Sequence, residues 1–229
     1  MLADPSSLLQ NLDIVFKDRA LLELALTHSS YINENPGLAP ASNERLEFLG
    51  DAVLGLVTAE KLYRDFPESD EGELTRLRSA LVRRETLAQI ARLINLGDYL
   101  CLGVGEEAGG GRKKPANLAR ALESLIAAIY LDGGLELARE FISNLFGPEI
   151  WEQAQEVAGT DYKSRLQEIM QAQQQVTPEY QFIKATGPDH AREFTVEVKA
   201  GNTFLGKGTG KSKKAAEMDA ARVALENLK

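Results

Sequence analysis

A change of hydrophobic period near residue 160 divides this chain into two parts that must fold differently. Before it, apolar residues recur every three or four positions. Leu46, Leu49, Val53, Leu56 and Val57 mark a helical stripe over residues 43–64, and Leu74, Leu77, Leu81, Leu87 and Ile90 mark another over 74–94. Residues 117–131 and 135–146 give two more, parted by Asp132-Gly133-Gly134. No segment here alternates convincingly, so this part reads as all-α. Gly103 to Pro115 holds five glycines together with Arg112, Lys113 and Lys114, and reads as a mobile loop. After residue 160, a helical stretch at 161–173 (Leu166, Ile169, Met170) gives way to alternation at Tyr180–Lys184, Phe194–Val198 and Thr203–Leu205. Turns are expected at Gly187-Pro188-Asp189 and Gly201-Asn202, and an Ala-rich helix over 212–228. The order α-β-β-β-α makes a small α+β domain. The expected organisation is a helical domain over 1–150, a Gln/Glu-rich linker over 151–160 (residues 147–160 being either linker throughout or a last helix plus linker) and a second domain over 161–229.

Composition removes several classes. The 229 residues are 44% apolar and 26% charged, so neither disorder nor a disulfide-stapled miniprotein is expected. Cys101 is the sole cysteine, which excludes an intrachain disulfide and fits a reducing, cytoplasmic location. The longest apolar run, Leu125 to Leu131, is far short of the roughly 20 residues needed to span a bilayer, so no membrane association is expected. Met1 to Pro5 shows no basic segment followed by an apolar one, so no signal peptide is expected. The net charge of −8 is unevenly spread. Residues 161–229 carry 11 Lys and Arg against 9 Asp and Glu, whereas residues 1–160 carry 15 against 25. An acidic chain is not a simple polyanion binder, but it leaves room for a local basic surface or for acidic groups that hold metal ions.

Residues 43–54, Asn-Glu-Arg-Leu-Glu-Phe-Leu-Gly-Asp-Ala-Val-Leu, are the most informative. At roughly 100° per helical residue, Glu44, Glu47 and Asp51 fall within about 60° of one another, opposite the apolar stripe. Three stacked carboxylates repel unless a cation compensates. Alone, this is either a solvated acidic face or a set of hard oxygen ligands suited to Mg²⁺ or Mn²⁺. Phe48 projects near the acidic stripe and reads as an exposed aromatic, either an interface anchor or a residue tucked under the next loop.

This stretch resembles the signature of ribonuclease III. Leu24 to Ser30 resembles that family's early helix motif, Asp70-Glu71-Gly72-Glu73-Leu74-Thr75 its DEG segment, and Leu122 to Ile126 with Tyr130 to Gly134 its late acidic helix. The tail is similar to a double-stranded-RNA-binding domain. The resemblance implies an all-α endonuclease domain followed by that α+β domain. It implies Mg²⁺ (or Mn²⁺) at Glu47, Asp51 and Glu123, with Asp51 and Glu123 catalytic. Glu44 and Glu71 would line the same RNA cleft, and Phe48 would plug a socket on the partner of a homodimer. The implied activity is cleavage of double-stranded RNA to 5′-phosphate and 3′-hydroxyl ends, in processing of ribosomal and messenger precursors. Phosphodiester hydrolysis needs an activated water, a neutralised phosphate and a stabilised leaving oxygen, which carboxylate-held Mg²⁺ supplies.

One position departs from the family. Three residues before Glu123, where the family carries Asp, stands Arg120. Arg cannot deprotonate near neutrality and so cannot become a ligand. Either Arg120 swings out and another carboxylate or water replaces the lost ligand, or it lies across Glu47 and Glu123 in place of a cation, or the chain is an altered version of an active parent. The second case leaves a dimeric duplex-RNA-binding protein with weak cleavage.

In the tail, Gly208 to Glu217 places Lys211, Lys213 and Lys214 at a helix start with Ser212 as N-cap, a phosphate seat. A-form RNA exposes 2′-hydroxyls in a shallow minor groove and phosphates across its deep major groove. The expected contacts are Ser164, Gln167 and Glu168 on the first helix, His190 in the Gly187–His190 turn, and the lysines between, matching the family's three RNA-contacting regions. His28 reads as structural. A helical scaffold with an acidic face and no nucleic-acid role is disfavoured by this tail. Arg112, Lys113 and Lys114 are open to either RNA phosphate or solvent.

Overall fold

Backbone contacts in the computed structural model divide the chain into two units, Met1–Trp151 and Glu152–Lys229. The structure describes residues 4–37, 41–67, 69–188 and 192–228, apart from the side chains of 149, 156–161, 173 and 174. In the first unit the helices are α1 (Pro5–Leu12), α2 (Arg19–Ala25), α3 (Ser29–Glu34), α4 (Glu44–Asp65), α5 (Glu71–Val82), α6 (Arg84–Leu93), α7 (Val104–Ala108) and α8 (Pro115–Leu145). Helix α8 is the hub. Its Leu118, Leu122, Leu125, Ile126 and Ile129 are buried, and α2, α4 and α6 pack on it, α4 most extensively. Among the described residues no helix is long and apolar enough to cross a membrane.

Three local departures from the sequence reading have physical causes. The helix expected over 74–94 is two helices, because Arg83 is extended (φ −67°, ψ 153°). The turn is secured by Thr86, whose Oγ1 donates to the Ala80 carbonyl at 2.8 Å. The segment 103–115 is held in place: it contains α7 and a 3-10 turn at Gly111–Lys113. Arg112 Nη1 donates to the carbonyls of Gly97 (3.0 Å) and Leu100 (2.8 Å), and its Nε to Glu107 (2.8 Å). Lys114 Nζ and Asn117 Nδ2 both reach Glu106 at 2.8 Å. Arg112 and Lys114 therefore serve the fold here, and Lys113 is exposed. The linker expected over 151–160 lies inside α9 (Pro148–Gln174). Its Glu, Gln and Ala are strong helix formers, and one interior glycine, Gly159, costs only about 1 kcal/mol. The start of α9 is anchored by Trp151, 6.2 Å from Phe66 and 6.1 Å from Phe146 between ring centroids.

The break expected at Asp132-Gly133-Gly134 is present. Gly134 has φ 82° and ψ −178°, a conformation that glycine tolerates and other residues rarely adopt. Asp132 has a further task. Its carboxylate accepts from the backbone N–H groups of Lys17 (3.0 and 3.1 Å) and Asp18 (2.8 Å), tying α8 to the segment that opens α2.

The second unit has the expected order, with the C-terminal half of α9 followed by antiparallel β1 (Pro178–Thr186), β2 (Glu193–Ala200) and β3 (Thr203–Gly210), then α10 (Lys213–Asn227). Strand β2 is central, and Tyr180 pairs with Val198 and Phe194 with Gly210. Val196, Val198, Leu205, Leu166 and Met170 meet Ala216, Ala220, Ala221 and Ala224 of α10 in one core. The glycines of β3 allow this: a Cβ at Gly208 would stand 2.1 Å from the Ala220 nitrogen. Helix and strand therefore approach at backbone distance along a seam of glycine and alanine.

Candidate functional site

The acidic residues of α4 and α8 meet where the two helices cross. Asn43, buried just before α4, braces the crossing. Its N–H donates to Thr27 O (2.9 Å), its side-chain amide to Ala25 O (3.1 Å), and its carbonyl accepts from Ser124 Oγ (3.2 Å). Between Glu47 and Asp51 lies Gly50, where α4 passes against the backbone of α8. A Cβ at Gly50 would sit 1.8 Å from the Glu123 carbonyl oxygen. Only glycine permits this approach, and it sets Glu47 and Asp51 beside Glu123.

The electrostatics follow from that closeness. Burial, with the neighbouring charges of Asp51 and Glu47, pushes the Glu123 carboxyl up to about 7, while Arg120 partly offsets the rise. Arg120 lies with Nε 3.3 Å from Glu47 Oε1, so it turns toward the carboxylates and meets Glu47, one of the two that the bridging geometry open from sequence would span. Among the described residues no three His, Cys, Asp or Glu side chains gather tightly enough to hold one ion. The convergence expected from sequence is therefore incomplete: the three carboxylates are near enough to feel one another's charge, but among the described residues they do not close into a three-ligand group. The donor set nonetheless fits a hard divalent cation, because it is all carboxylate oxygen and bears more negative charge than one guanidinium balances.

The other residues expected at this site are placed less tightly. Glu44 is exposed and accepts from Ser42 Oγ at 2.8 Å. Glu71 is exposed in the first turn of α5, where Asp70 caps the helix by accepting from Glu73 N–H at 2.8 Å. Phe48 is 81% exposed, so it does not pack under the following loop. His28 is structural: Nδ1 accepts from Ser30 N–H at 3.1 Å and caps α3. Sequence reading assigned no role to Asn43, Gly50 or Ser124. The sole signal for them was their position inside or opposite the acidic motif.

In the second unit the residues expected to contact RNA are exposed in two places. Ser164, Gln167 and Glu168 are exposed on α9 and, with Gln171 and Ala172, line an open hollow of about 580 Å³. Gln171, absent from the sequence reading, continues the same face at helical spacing. Lys211, Lys213 and Lys214 are exposed around the start of α10, where Ser212 Oγ accepts from Ala215 N–H at 3.1 Å as the expected N-cap. Lys213 also places its ammonium 4.9 Å from the centroid of the Phe182 ring, a contact that steadies a cation which would otherwise wave in solvent. His190 lies outside the described residues.

Comparison with known proteins agrees with both units. A model of ribonuclease-III-like domains matches residues 18–150, and one of the double-stranded RNA binding motif matches residues 162–228. A ribonuclease 3 of Dehalococcoides mccartyi is 52% identical over 98% of this chain and 95% of its own length. One from a Roseiflexus species is 49% identical over 95% and 92%. The solved nuclease domain of Campylobacter jejuni ribonuclease III, described for flexibility in a region involved in dimer formation, superposes with a TM-score of 0.58 at 45% identity. It covers 62% of this chain and 95% of its own. With a helical unit built around an α4–α8 carboxylate crossing, followed in the chain by an α-β-β-β-α unit, the chain belongs to the ribonuclease III family of nucleases.

Proposed function

We propose that this chain is a Mg²⁺-dependent endoribonuclease that cleaves double-stranded RNA as a cytoplasmic homodimer and processes ribosomal and messenger RNA precursors. The observation that supports it most is the backbone contact of Gly50 with Glu123, which puts carboxylates from two distant segments side by side. Glu47, Asp51 and Glu123 hold the ion, for which Mn²⁺ can substitute, and Asp51 and Glu123 orient the attacking water. When bound, the ion supplies charge neutralisation at the scissile phosphate and lowers the pKa of water. Glu44 and Glu71 line the RNA cleft with negative charge, which keeps the duplex phosphates away except where a cation intervenes. Phe48, exposed on α4, anchors the partner subunit, and a symmetric pair of sites cuts both strands. Ser164, Gln167, Glu168 and Gln171 contact a minor groove, His190 a second one, and Lys211, Lys213 and Lys214 the phosphates between.

The test is incubation of a long RNA duplex with purified protein in Mg²⁺ and, separately, in Ca²⁺. Products with 5′-phosphate ends in Mg²⁺ alone are expected. Retained binding with no Mg²⁺-dependent product rejects the nuclease reading. A second reading, a duplex-binding protein with weak cleavage, is favoured by the Arg120–Glu47 ion pair. It predicts slow cleavage that Arg120→Asp accelerates.

A further inference from the structure

We propose that Arg120 is a resident counter-ion of the carboxylate cluster, so that a divalent ion binds this site by displacing a guanidinium. The inference rests on the metal-holding role of Glu47, Asp51 and Glu123 proposed above.

Three observations support it. Arg120 Nε stands 3.3 Å from Glu47 Oε1, within ion-pair range and on one of the proposed donor oxygens. Glu47 and Arg120 are held at this distance by the helix crossing, because α4 and α8 touch backbone to backbone at Gly50 and Glu123. The backbone on the Arg120 side is braced as well: Ser124 Oγ lies within hydrogen-bond reach of both Arg120 O (2.8 Å) and Asn43 O (3.2 Å), joining the start of α4 to the interior of α8. The guanidinium is therefore delivered to Glu47 by the same contacts that assemble the cluster.

The chemistry then gives the direction of the effect. Guanidinium keeps its proton throughout the physiological range, so its positive charge is permanent. Without a metal it screens the repulsion between Glu47 and its neighbours and favours the folded unit. With a metal it must leave Glu47, and its charge repels the incoming ion at short range. The Arg120 side chain is 52% exposed, so solvent weakens both effects and release into water is open to it. Ion affinity is lowered and metal-free stability raised by one residue.

The test uses the full chain, freed of metal by chelation and without RNA. Mn²⁺ is titrated calorimetrically into the wild type, Arg120→Ala, Arg120→Asp, Arg120→Lys, Glu47→Gln and Glu123→Gln, each first checked for native helical content by circular dichroism. Arg120→Ala is expected to bind Mn²⁺ roughly tenfold tighter than wild type, and Arg120→Asp tighter still, while Arg120→Lys, with its charge kept, stays within about threefold. Thermal melts supply a second readout. Arg120→Ala melts below wild type without metal, and its gain in Tm on adding Mn²⁺ is larger. If Arg120→Ala and Arg120→Asp bind no tighter while Glu47→Gln and Glu123→Gln weaken binding, the counter-ion proposal is overturned and the metal site stands. If Glu47→Gln and Glu123→Gln leave Mn²⁺ binding unchanged, the metal site falls, and the proposal falls with it.

Discussion

Gly50 and Glu123 show how much hangs on single side chains. A methyl group at residue 50 would be driven into the Glu123 carbonyl, which is backbone and has nowhere to go. Gly50→Ala is therefore expected to lower stability by roughly 2–3 kcal/mol, as overpacking does, and to separate the carboxylates. Urea unfolding against wild type checks this, and an unchanged midpoint would show that the helices cross more loosely. Glu123 carries a pH signature. Its folded carboxyl titrates near 7 against an ordinary value of 4.5, so the folded state holds the proton more tightly than the unfolded one. The stability associated with that proton is present below about 4.5 and is lost as pH rises through about 7. In chelated protein, Glu123→Gln should gain on wild type steadily across that window. A difference that stays flat with pH would contradict the burial and charge around Glu123.

At the scale of elements, the chain ends and joins its helices with specific devices. Ser212 caps α10, and Ser212→Ala should cost about 1 kcal/mol and loosen the helix start that presents Lys213 and Lys214. Chemical denaturation of the second unit, followed with duplex-binding measurements, reports both effects. Gly208 is less forgiving. A side chain there meets the α10 backbone at 2.1 Å, so Gly208→Val is expected to prevent α10 from docking on β3 and to abolish duplex binding while the first unit stays folded. Elements were legible in the sequence where one stripe of apolar residues ran unbroken, as over 43–64. They were not where the cue was local but the cause remote. At roughly 100° per residue Leu87 falls about 120° off Leu81, a phase slip that marks the turn at Arg83 but is easily passed over when the leucines are read as one run. Five glycines suggested a mobile loop over 103–115, yet Arg112 binds carbonyls some 12 to 15 residues away and holds it. A glycine-containing polar stretch suggested a linker over 151–160, where the helix propensity of Glu, Gln and Ala prevails.

For the whole molecule, two surfaces carry the proposed assembly. Phe48 is 81% exposed, and Leu56 and Tyr63 further along α4 are exposed as well. With the homodimer proposed here, light scattering should return twice the 25.1 kDa chain mass, and Phe48→Ala should raise the dissociation constant at least about tenfold. A wild-type monomer at micromolar concentration would remove the dimer from the proposal. On the second unit, Lys213→Ala with Lys214→Ala should weaken duplex affinity and reduce the slope of log affinity against log salt by up to about 2, one phosphate per lysine. An unaltered slope would mean that these lysines do not reach the backbone.

The sequence by itself determined the two-part architecture, the helix and strand periods and the identity of the acidic motif, because periodicity and short motifs are properties of neighbouring residues. It also displayed Arg120 as an anomaly. Only the tertiary structure decided where its side chain goes, which is to Glu47. Glu47 and Arg120 are 73 positions apart, and whether a guanidinium turns toward water or toward a carboxylate depends on where two helices cross. The crossing is set by a glycine against a carbonyl, a contact of shape that no spacing along the chain encodes.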